Sequence, residues 1–240
     1  MTADGSFAKS LSNEGDMTGE ISAIYFDLDD TLIPSSGLYS EAMSRIGIDS
    51  SSVRYINARL EVKRNLDKSN PSRHNRVLYL KKWVEKSERF NPDKILQLIN
   101  RYEEELENLI RAAWVKSGYQ KLLRKLGRRY PLGVITNETT RMQLIKMRAI
   151  DPEGHFLKWL ITSEEAGAEK PDPRIFNLMI GKSGVAAKDI LLIGDDWEAD
   201  ILGFRQLGGN VIWKNSAFSQ TSRENIQVIQ NLFDLEDLLL

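Results

Sequence analysis

Three aspartates within four positions, Asp27, Asp29 and Asp30, form the group in this sequence with the clearest chemical potential. Carboxylates this close repel one another in a partly buried setting, so keeping them charged requires a cation or large pKa shifts. A hard divalent metal ion is the simplest remedy. In an extended chain Asp27 and Asp29 point to the same side. One could then act as a nucleophile while the other donates and accepts protons.

The same stretch also allows a purely structural interpretation. Asp29, Asp30 and Thr31 could form a turn and cap a following helix, as Asp and Thr commonly do. Taken alone, the short motif does not separate the two interpretations.

Three further polar groups follow apolar runs later in the chain. Thr136 and Asn137 have hydroxyl, amide and backbone N–H groups that could hold phosphoryl oxygens, or could cap a helix. Lys170 precedes Pro171 and could balance carboxylates and phosphate, although a loop lysine is usually just solvated. A second acidic cluster, which could equally be an acidic helix start, contains Asp195, Asp196 and Asp200.

The elements that must position these groups alternate between strand and helix. Apolar runs predict strands at about 21–26, 132–135, 159–161, 190–193 and 210–213, with helical spacing between the later ones. Strands that alternate with helices imply right-handed crossovers and a parallel sheet, in which ligands bind at the carboxyl ends of strands. All four polar groups therefore lie at one predicted edge. One polar group at a strand end is unsurprising, but four polar groups at the same edge of one sheet are not expected by chance.

A long helical block interrupts this alternation between the first two strands. About four helices with no strand among them are predicted between Leu38 and Ile110, with breaks at 49–52, 68–75 and 90–91. We therefore predict a mobile tail at 1–19, a catalytic core at 20–36 and 117–240, and a helical insertion at 37–116.

Composition excludes several classes of function. The 240 residues include 33 basic and 34 acidic side chains, so the net charge of −1 supplies no global field for nucleic acid or an anionic membrane. The absence of cysteine excludes disulfides, thiolate zinc sites and a cysteine nucleophile. The acidic first twenty residues do not resemble a secretory signal, and no apolar run reaches the ~18 residues of a membrane span. We expect a soluble, cytoplasmic protein, and its oligomeric state, monomer or dimer, is left open.

The four groups together resemble the ordered motifs of the haloacid dehalogenase-like hydrolase superfamily. The matching segments are Asp-Leu-Asp-Asp-Thr at 27–31, Thr-Asn at 136–137, Lys-Pro-Asp-Pro at 170–173 and Gly-Asp-Asp-Trp-Glu-Ala-Asp at 194–200. This resemblance implies an α/β fold, with a Rossmann-like parallel sheet between helical layers and a helical cap inserted over the active site.

The resemblance also implies a role for each motif residue. Asp27 would be the nucleophile that forms an aspartyl-phosphate, and Asp29 would protonate the leaving alcohol and then activate water. Thr136, with Asn137, would bind the phosphoryl group, and Lys170 would steady that group and Asp27. Mg²⁺ would be held by Asp27, the backbone carbonyl of Asp29 and Asp195. Asp196 and Asp200 would support this metal site, and which of the three later aspartates touches the ion directly stays open.

The motif details favour phosphoryl transfer over dehalogenation. Family members that cleave carbon–halogen bonds lack the second aspartate of the first motif and need no metal, whereas Asp29 and the second acidic cluster are both present here. Thr31 resembles the phosphatase version of the motif, since related phosphomutases usually have Gly-Val there. We therefore predict a Mg²⁺-dependent phosphatase that hydrolyses a small phosphorylated metabolite. The alternatives are phosphomutase-like transfer and a non-catalytic sensor of a phosphorylated ligand.

Substrate recognition is predicted to lie in the inserted helices. The loop 68–76 concentrates basic and amide side chains, and Arg73, His74 or Arg76 could reach a second anionic or hydroxyl-rich part of the substrate. The alternative is that this loop is only a solvated helix connection.

Overall fold

The computed structural model describes residues 20–68, 70–86, 89–218 and 222–240. The predicted tail at 1–19 and Ser69 of the loop 68–76 lie outside the described residues.

The described residues form a seven-stranded sheet with the first strand near its centre. The strands are β1 Ala23–Phe26, β2 Leu132–Thr136, β3 Leu157–Thr162, β4 Ile190–Gly194, β5 Asn210–Lys214, β6 Ser222–Arg223 and β7 Ile226–Ile229. Their order is β3-β2-β1-β4-β5-β7-β6, and every neighbouring pair is parallel except β6 with β7. The chain crosses from one side of β1 to the other between β3 and β4. Such a change of direction opens a crevice at the strand ends where ligands bind.

Four α-helices within residues 35–117, between β1 and β2, are called the helical insertion below. They are α1 Ser35–Arg45, α2 Val53–Asn65, α3 Arg76–Glu85 and α4 Pro92–Ser117. Local sequence explains their ends: the Ser52 and Asn91 side chains each accept a backbone N–H of the first turn, and Gly118 closes α4 with a left-handed φ of 72°. The predicted count of four helices without a strand is confirmed.

Six further helices accompany the sheet. They are α5 Tyr119–Leu126, α6 Thr140–Ile150, α7 Ser163–Ala166, α8 Pro173–Ser183, α9 Gly203–Arg205 and α10 Leu235–Leu239. A π-helical segment, Trp197–Leu202, leads into α9.

Each face of the sheet has its own buried cluster. Along β1 the side chains alternate, with Ile24 and Phe26 in one cluster and Ala23 and Tyr25 in the other. The helical insertion packs with the Ile24 and Phe26 cluster, so it is anchored to the core by buried apolar contacts. The predicted α/β class, with a largely parallel sheet between helices, is confirmed.

The structure extends the predicted elements at the carboxyl end of the chain. The helix expected from Ala199 starts at Trp197 as a π-helical segment, and β6, β7 and α10 were not predicted at all. Runs of two, four and five residues are too short to show a periodicity, and the two strands form by pairing, β7 with the edge of β5 and β6 with β7. Within the described residues no helix combines the length and apolarity that a bilayer crossing needs.

Candidate active site

The predicted site residues meet in one cavity at the carboxyl ends of β1, β2 and β4. The cavity measures about 570 Å³ and is bordered on the other side by the helical insertion. Eight predicted residues line it: Asp27, Asp29, Thr136, Asn137, Lys170, Asp195, Asp196 and Asp200. Strand register explains the convergence, because Phe26 pairs with both Val134 and Ile193, so the polar residues that follow these strands emerge side by side.

Lys170 lies at the centre of a buried charge cluster. Its Nζ donates to Asp27 Oδ1 and Asp200 Oδ1, both at 2.6 Å, and to the Ile135 carbonyl at 3.0 Å. All three donors of the ammonium group are therefore used. Burial alone would lower the pKa of Lys170, but Asp200 and Asp27 raise it above its ordinary value.

Asn137 fixes the backbone that carries this lysine. Its Oδ1 accepts the Lys170 backbone N–H at 2.6 Å, and its Nδ2 donates to the Lys170 carbonyl at 2.9 Å. The peptide bond between Lys170 and Pro171 is cis. The side-chain amide, one of the groups predicted to hold phosphoryl oxygens, is thus already engaged with the protein.

Three carboxylates face one another beside the lysine. Oxygen atoms of Asp27, Asp195 and Asp200 all lie within 4.8 Å of one another. A Cβ on Gly194 would lie 2.3 Å from an Asp200 carboxylate oxygen, so only glycine at the end of β4 allows Asp200 to approach. Sequence reasoning gave Asp200 a supporting place, whereas its side chain is one of these three.

The crowding of these carboxylates disfavours their ionised forms. Burial raises the pKa of Asp27 well above its usual range, and Asp200 and Asp29 add to the rise against the pull of Lys170. Burial also raises the pKa of Asp195 to about 6, against the hydrogen bond donated by the Thr31 hydroxyl at 2.9 Å. Oxygen donors that repel one another in this way suit a hard divalent cation, which would restore their charged forms.

Asp29 lines the same cavity but contacts different partners. Lys146 Nζ donates to both of its carboxylate oxygens at 2.7 Å, and the Tyr39 hydroxyl donates to Oδ1 at 2.8 Å. Gln143 Nε2 donates to Asp29 Oδ2 at 3.3 Å and to Thr136 Oγ1 at 2.9 Å. Burial would raise the pKa of Asp29, but Lys146 and its hydrogen bonds hold that pKa well below the usual range.

Lys146 and Gln143 were missed by sequence reasoning. Both lie on α6 and are fully buried. A signal for them exists, because they fall on the helix face that buries Met142, Ile145 and Ala149. A lysine on an apolar helix face directly after a site motif needs a buried anion as partner.

The remaining aspartates of the two acidic clusters, Asp30 and Asp196, accept backbone hydrogen bonds at helix starts. Asp30 Oδ1 accepts the backbone N–H of Ser36 at the start of α1 at 3.0 Å. Asp196 Oδ1 accepts the backbone N–H groups of Glu198 and Ala199, at 2.9 and 2.8 Å. In each cluster, therefore, one aspartate of the cavity wall also accepts hydrogen bonds at a helix start, so both interpretations of the acidic motifs hold.

The helical insertion contributes its own polar groups to the cavity wall. The Arg76 guanidinium pairs with the buried Glu138 and stacks 3.7 Å from the centre of the Tyr39 ring. His74 Nε2 lies 3.7 Å from Glu169 Oε2. Arg73 instead donates from its Nη1 to the Lys68 carbonyl at 3.2 Å. Of the three predicted loop residues, His74 and Arg76 line the cavity.

Comparison with protein families agrees with this arrangement. The family described as haloacid dehalogenase-like hydrolase matches residues 21–208. The chain belongs to this family. The predicted resemblance to haloacid dehalogenase-like hydrolases is confirmed, and the protein is a hydrolase of this group.

Two individual proteins with named phosphatase activities are similar to this chain. A ribulose-1,5-bisphosphate 5-phosphatase of Halopiger xanaduensis is 30% identical over 199 residues, covering 78% of this chain and 81% of that protein. A glyceraldehyde 3-phosphate phosphatase of Methanothermobacter thermautotrophicus is 31% identical over 117 residues, but the match covers only 46% of this chain and 51% of that protein.

A solved structure shares the fold over almost the whole chain. The 2-haloacid dehalogenase of Pseudomonas syringae superimposes with a TM-score of 0.69 and 23% identity, covering 91% of this chain and 98% of that one. At this level of identity the match shows only that the fold is shared. The choice of reaction is therefore argued from the site residues.

Proposed function

We propose that the protein is a Mg²⁺-dependent phosphatase that hydrolyses a small phosphorylated metabolite through an aspartyl-phosphate on Asp27. The observation that carries the proposal is the buried contact of Asp27 and Asp200 with Lys170, next to Asp195. Phosphoryl transfer requires positioning and neutralisation of charge, and a lysine with a carboxylate-bound cation supplies both.

A divalent cation fits this donor set. The oxygens of Asp27, Asp195 and Asp200 are hard ligands within one ion's reach of each other, and the Asp29 carbonyl is the further ligand expected from the first motif. A bound Mg²⁺ would neutralise charge on the phosphoryl oxygens and keep Asp27 ionised. Dehalogenation in this family needs no metal, so three carboxylates placed to hold a cation support the choice of phosphoryl transfer.

In the first step Asp27 would attack phosphorus. Its Oδ1 is held by Lys170, while no described residue hydrogen-bonds Oδ2, so Oδ2 is the attacking oxygen. A bond forms between Oδ2 and phosphorus, and the bond from phosphorus to the alcohol oxygen breaks. The Thr136 hydroxyl accepts its hydrogen bond from Gln143, so its proton is available for a phosphoryl oxygen.

Asp29 would move the protons of both half-reactions. A phosphoryl group that arrives beside Asp29 adds negative charge, which raises the pKa of that carboxyl and favours the acid that protonates the leaving alcohol. In the second step the ionised form, which Lys146 favours, takes a proton from the water that attacks the aspartyl-phosphate and releases inorganic phosphate. Asp27 is regenerated as a carboxylate.

The substrate we propose is a small phosphorylated sugar or a similar metabolite. The cavity of about 570 Å³ is of the size that holds one metabolite, and the helical insertion, which we propose acts as a cap, leaves little space for a macromolecule. The two curated relatives are phosphatases of small phosphorylated sugars, which supports the same class here. The cytoplasmic location and the domain division at 37–116 stay predictions.

The test is phosphate release by the purified protein from a panel of phosphorylated metabolites. We expect turnover with Mg²⁺, its loss with a chelator, and a fall of at least about 10³-fold in kcat for Asp27→Asn, because the amide is not a nucleophile. The matched control is Asp237→Asn, at an exposed position of α10 far along the chain from the motifs.

Two results would contradict the proposal. Absence of phosphate release from the whole panel would leave the sensor function, which a trapped beryllium fluoride adduct without turnover would support. Transfer of the phosphoryl group to a second position of the substrate, without release, would indicate a phosphomutase.

A further inference from the structure

A second cavity lies inside the helical insertion. It measures about 260 Å³. One wall is the face of α2 on which Tyr55, Arg59 and Lys63 recur at four-residue spacing, and His74 and Arg76 line it as well. No carboxylate is among the described residues that line it.

This cavity adjoins the active-site cavity. Four residues line both: Ser36, Tyr39, His74 and Arg76. Arg76 therefore lies between Asp27 on one side and Arg59 and Lys63 on the other.

The cations of the second cavity differ in how they are compensated. Arg76 pairs with Glu138, and His74 lies near Glu169. Arg59, which is exposed, and Lys63, which is half-buried, form no ion pair among the residues that the structure describes, although Glu169 acts on Lys63 from a greater distance. Elsewhere on α2, Glu61 takes part in two ion pairs, with Lys82 at 3.0 Å and Lys86 at 2.6 Å.

The positive charge of Lys63 is unfavourable for the protein itself. Burial lowers the pKa of Lys63, and the nearby Arg59, Arg73 and Arg76 lower it further against the opposite effect of Glu169. Basic side chains held together in a concave site whose described wall contains no carboxylate are arranged to receive an anion from outside.

We propose that the second cavity binds an anionic group, a carboxylate or a second phosphate, at the end of the substrate remote from the phosphoryl group at Asp27. Arg59 and Lys63 are its main contacts, and Arg76 is the boundary between the two cavities. This inference rests on the proposed phosphatase function and narrows its substrate class to phosphate monoesters with a second negative group. The sequence predicts this substrate contact at Arg73, His74 or Arg76 of the loop 68–76. The two cations without an ion pair lie instead on α2.

The first experiment compares substrates that differ only in the second group. The pairs are 3-phosphoglycerate against glycerol 3-phosphate, and ribulose 1,5-bisphosphate against ribulose 5-phosphate, so a carboxylate and a phosphate are tested separately. We expect kcat/KM to favour the more anionic member of at least one pair by about tenfold or more, since hydrogen bonds between charged groups are worth that much.

Two double variants test whether the preference for the more anionic substrate comes from the second cavity. The double variant Arg59→Gln with Lys63→Gln should lower the ratio of the two kcat/KM values by about tenfold, because both cations are removed while glutamine keeps the helix. The control variant Arg64→Gln with Lys68→Gln removes the same charges from nearby positions that do not line the cavity and should leave the ratio unchanged. An equal ratio in the wild type, or an equal effect of the two double variants, would overturn the proposal.

A binding experiment separates this proposal from the phosphatase function. Calorimetric titration of Asp27→Asn with the same four compounds measures affinity without turnover. Tighter binding of the anionic member, lost when Arg59→Gln and Lys63→Gln are added, supports the second site even if the wild type releases no phosphate. Equal affinities within both pairs refute the second site, whether or not the enzyme is active.

Discussion

The two cavities share a wall and are opposite in charge. The one at the strand ends is lined by eight acidic side chains, and its central lysine is buried and fully hydrogen-bonded. The one in the helical insertion is lined by basic side chains, two of which form no ion pair within the described part of the chain. In the acidic cavity the protein pairs its own charged groups and holds them in place for catalysis. In the basic cavity it leaves positive charge that a bound ligand can neutralise.

The largest expected effect comes from removing the cation that holds the acidic cavity together. In Lys170→Met, Asp27 and Asp200 would remain buried without their ammonium partner. We expect kcat to fall by about 10²- to 10³-fold. The free energy of unfolding should fall by about 3–5 kcal/mol, the usual result of breaking a buried ion pair. Steady-state kinetics and urea unfolding measure the two effects.

The control for that variant is Lys182→Met, which breaks the exposed pair with Glu165. An exposed pair contributes at most about 1 kcal/mol, so activity and stability should both stay close to wild type. If Lys170→Met behaved like its control, the charges of the acidic cavity would not depend on one another, and the contrast between the cavities would disappear.

A smaller effect is expected for the second buried lysine of the acidic cavity. In Lys146→Met, Asp29 loses its cation, so we expect kcat to fall about tenfold because the proton-transferring carboxylate is no longer held. At pH 7 the free energy of unfolding should fall by about 1–3 kcal/mol, less than for Lys170 because Asp29 is partly exposed.

The pH dependence of that loss has a definite sign. Folding lowers the pKa of Asp29, so its stabilising contribution is present above the unfolded value of about 3.9 and is lost as the pH falls toward the folded value. The stability difference between wild type and Lys146→Met should therefore be full at pH 7 and shrink below about pH 4. A difference that grew on acidification would contradict the assignment of Lys146 to Asp29.

The arrangement of the core could be predicted from the sequence because its signals are strong and local. Apolar runs predicted five of the seven strands, and the carboxyl ends of three of them carry site motifs. The parallel topology then brings distant motifs such as Asp27 and Asp195 together without any knowledge of side-chain contacts. The two missed strands are short, and they depend on pairing with β5 and with each other.

The contacts within the site could not be predicted in the same way. Which backbone N–H groups an aspartate of the cavity wall accepts depends on the turn that follows its strand, as Asp30 and Asp196 show. Lys146 and Gln143 reach Asp29 only through the packing of α6, and Arg59 joins the second cavity only through the packing of α2. Side chains from separate elements meet by tertiary packing, which periodicity does not encode.

The smallest expected effect has the opposite sign and tests the basic cavity. Because folding lowers the pKa of Lys63, its positive charge costs stability at every pH below the folded value. Lys63→Gln should therefore raise the free energy of unfolding slightly, by about 0.5 kcal/mol at low ionic strength, and the gain should shrink in 1 M salt as the repulsion is screened. Urea unfolding of this variant beside Arg64→Gln, which changes an exposed cation outside the cavity, measures the difference. A loss of stability in Lys63→Gln larger than in Arg64→Gln would mean that Lys63 is compensated by the protein itself, and the basic cavity would then have no unmet charge to offer a ligand.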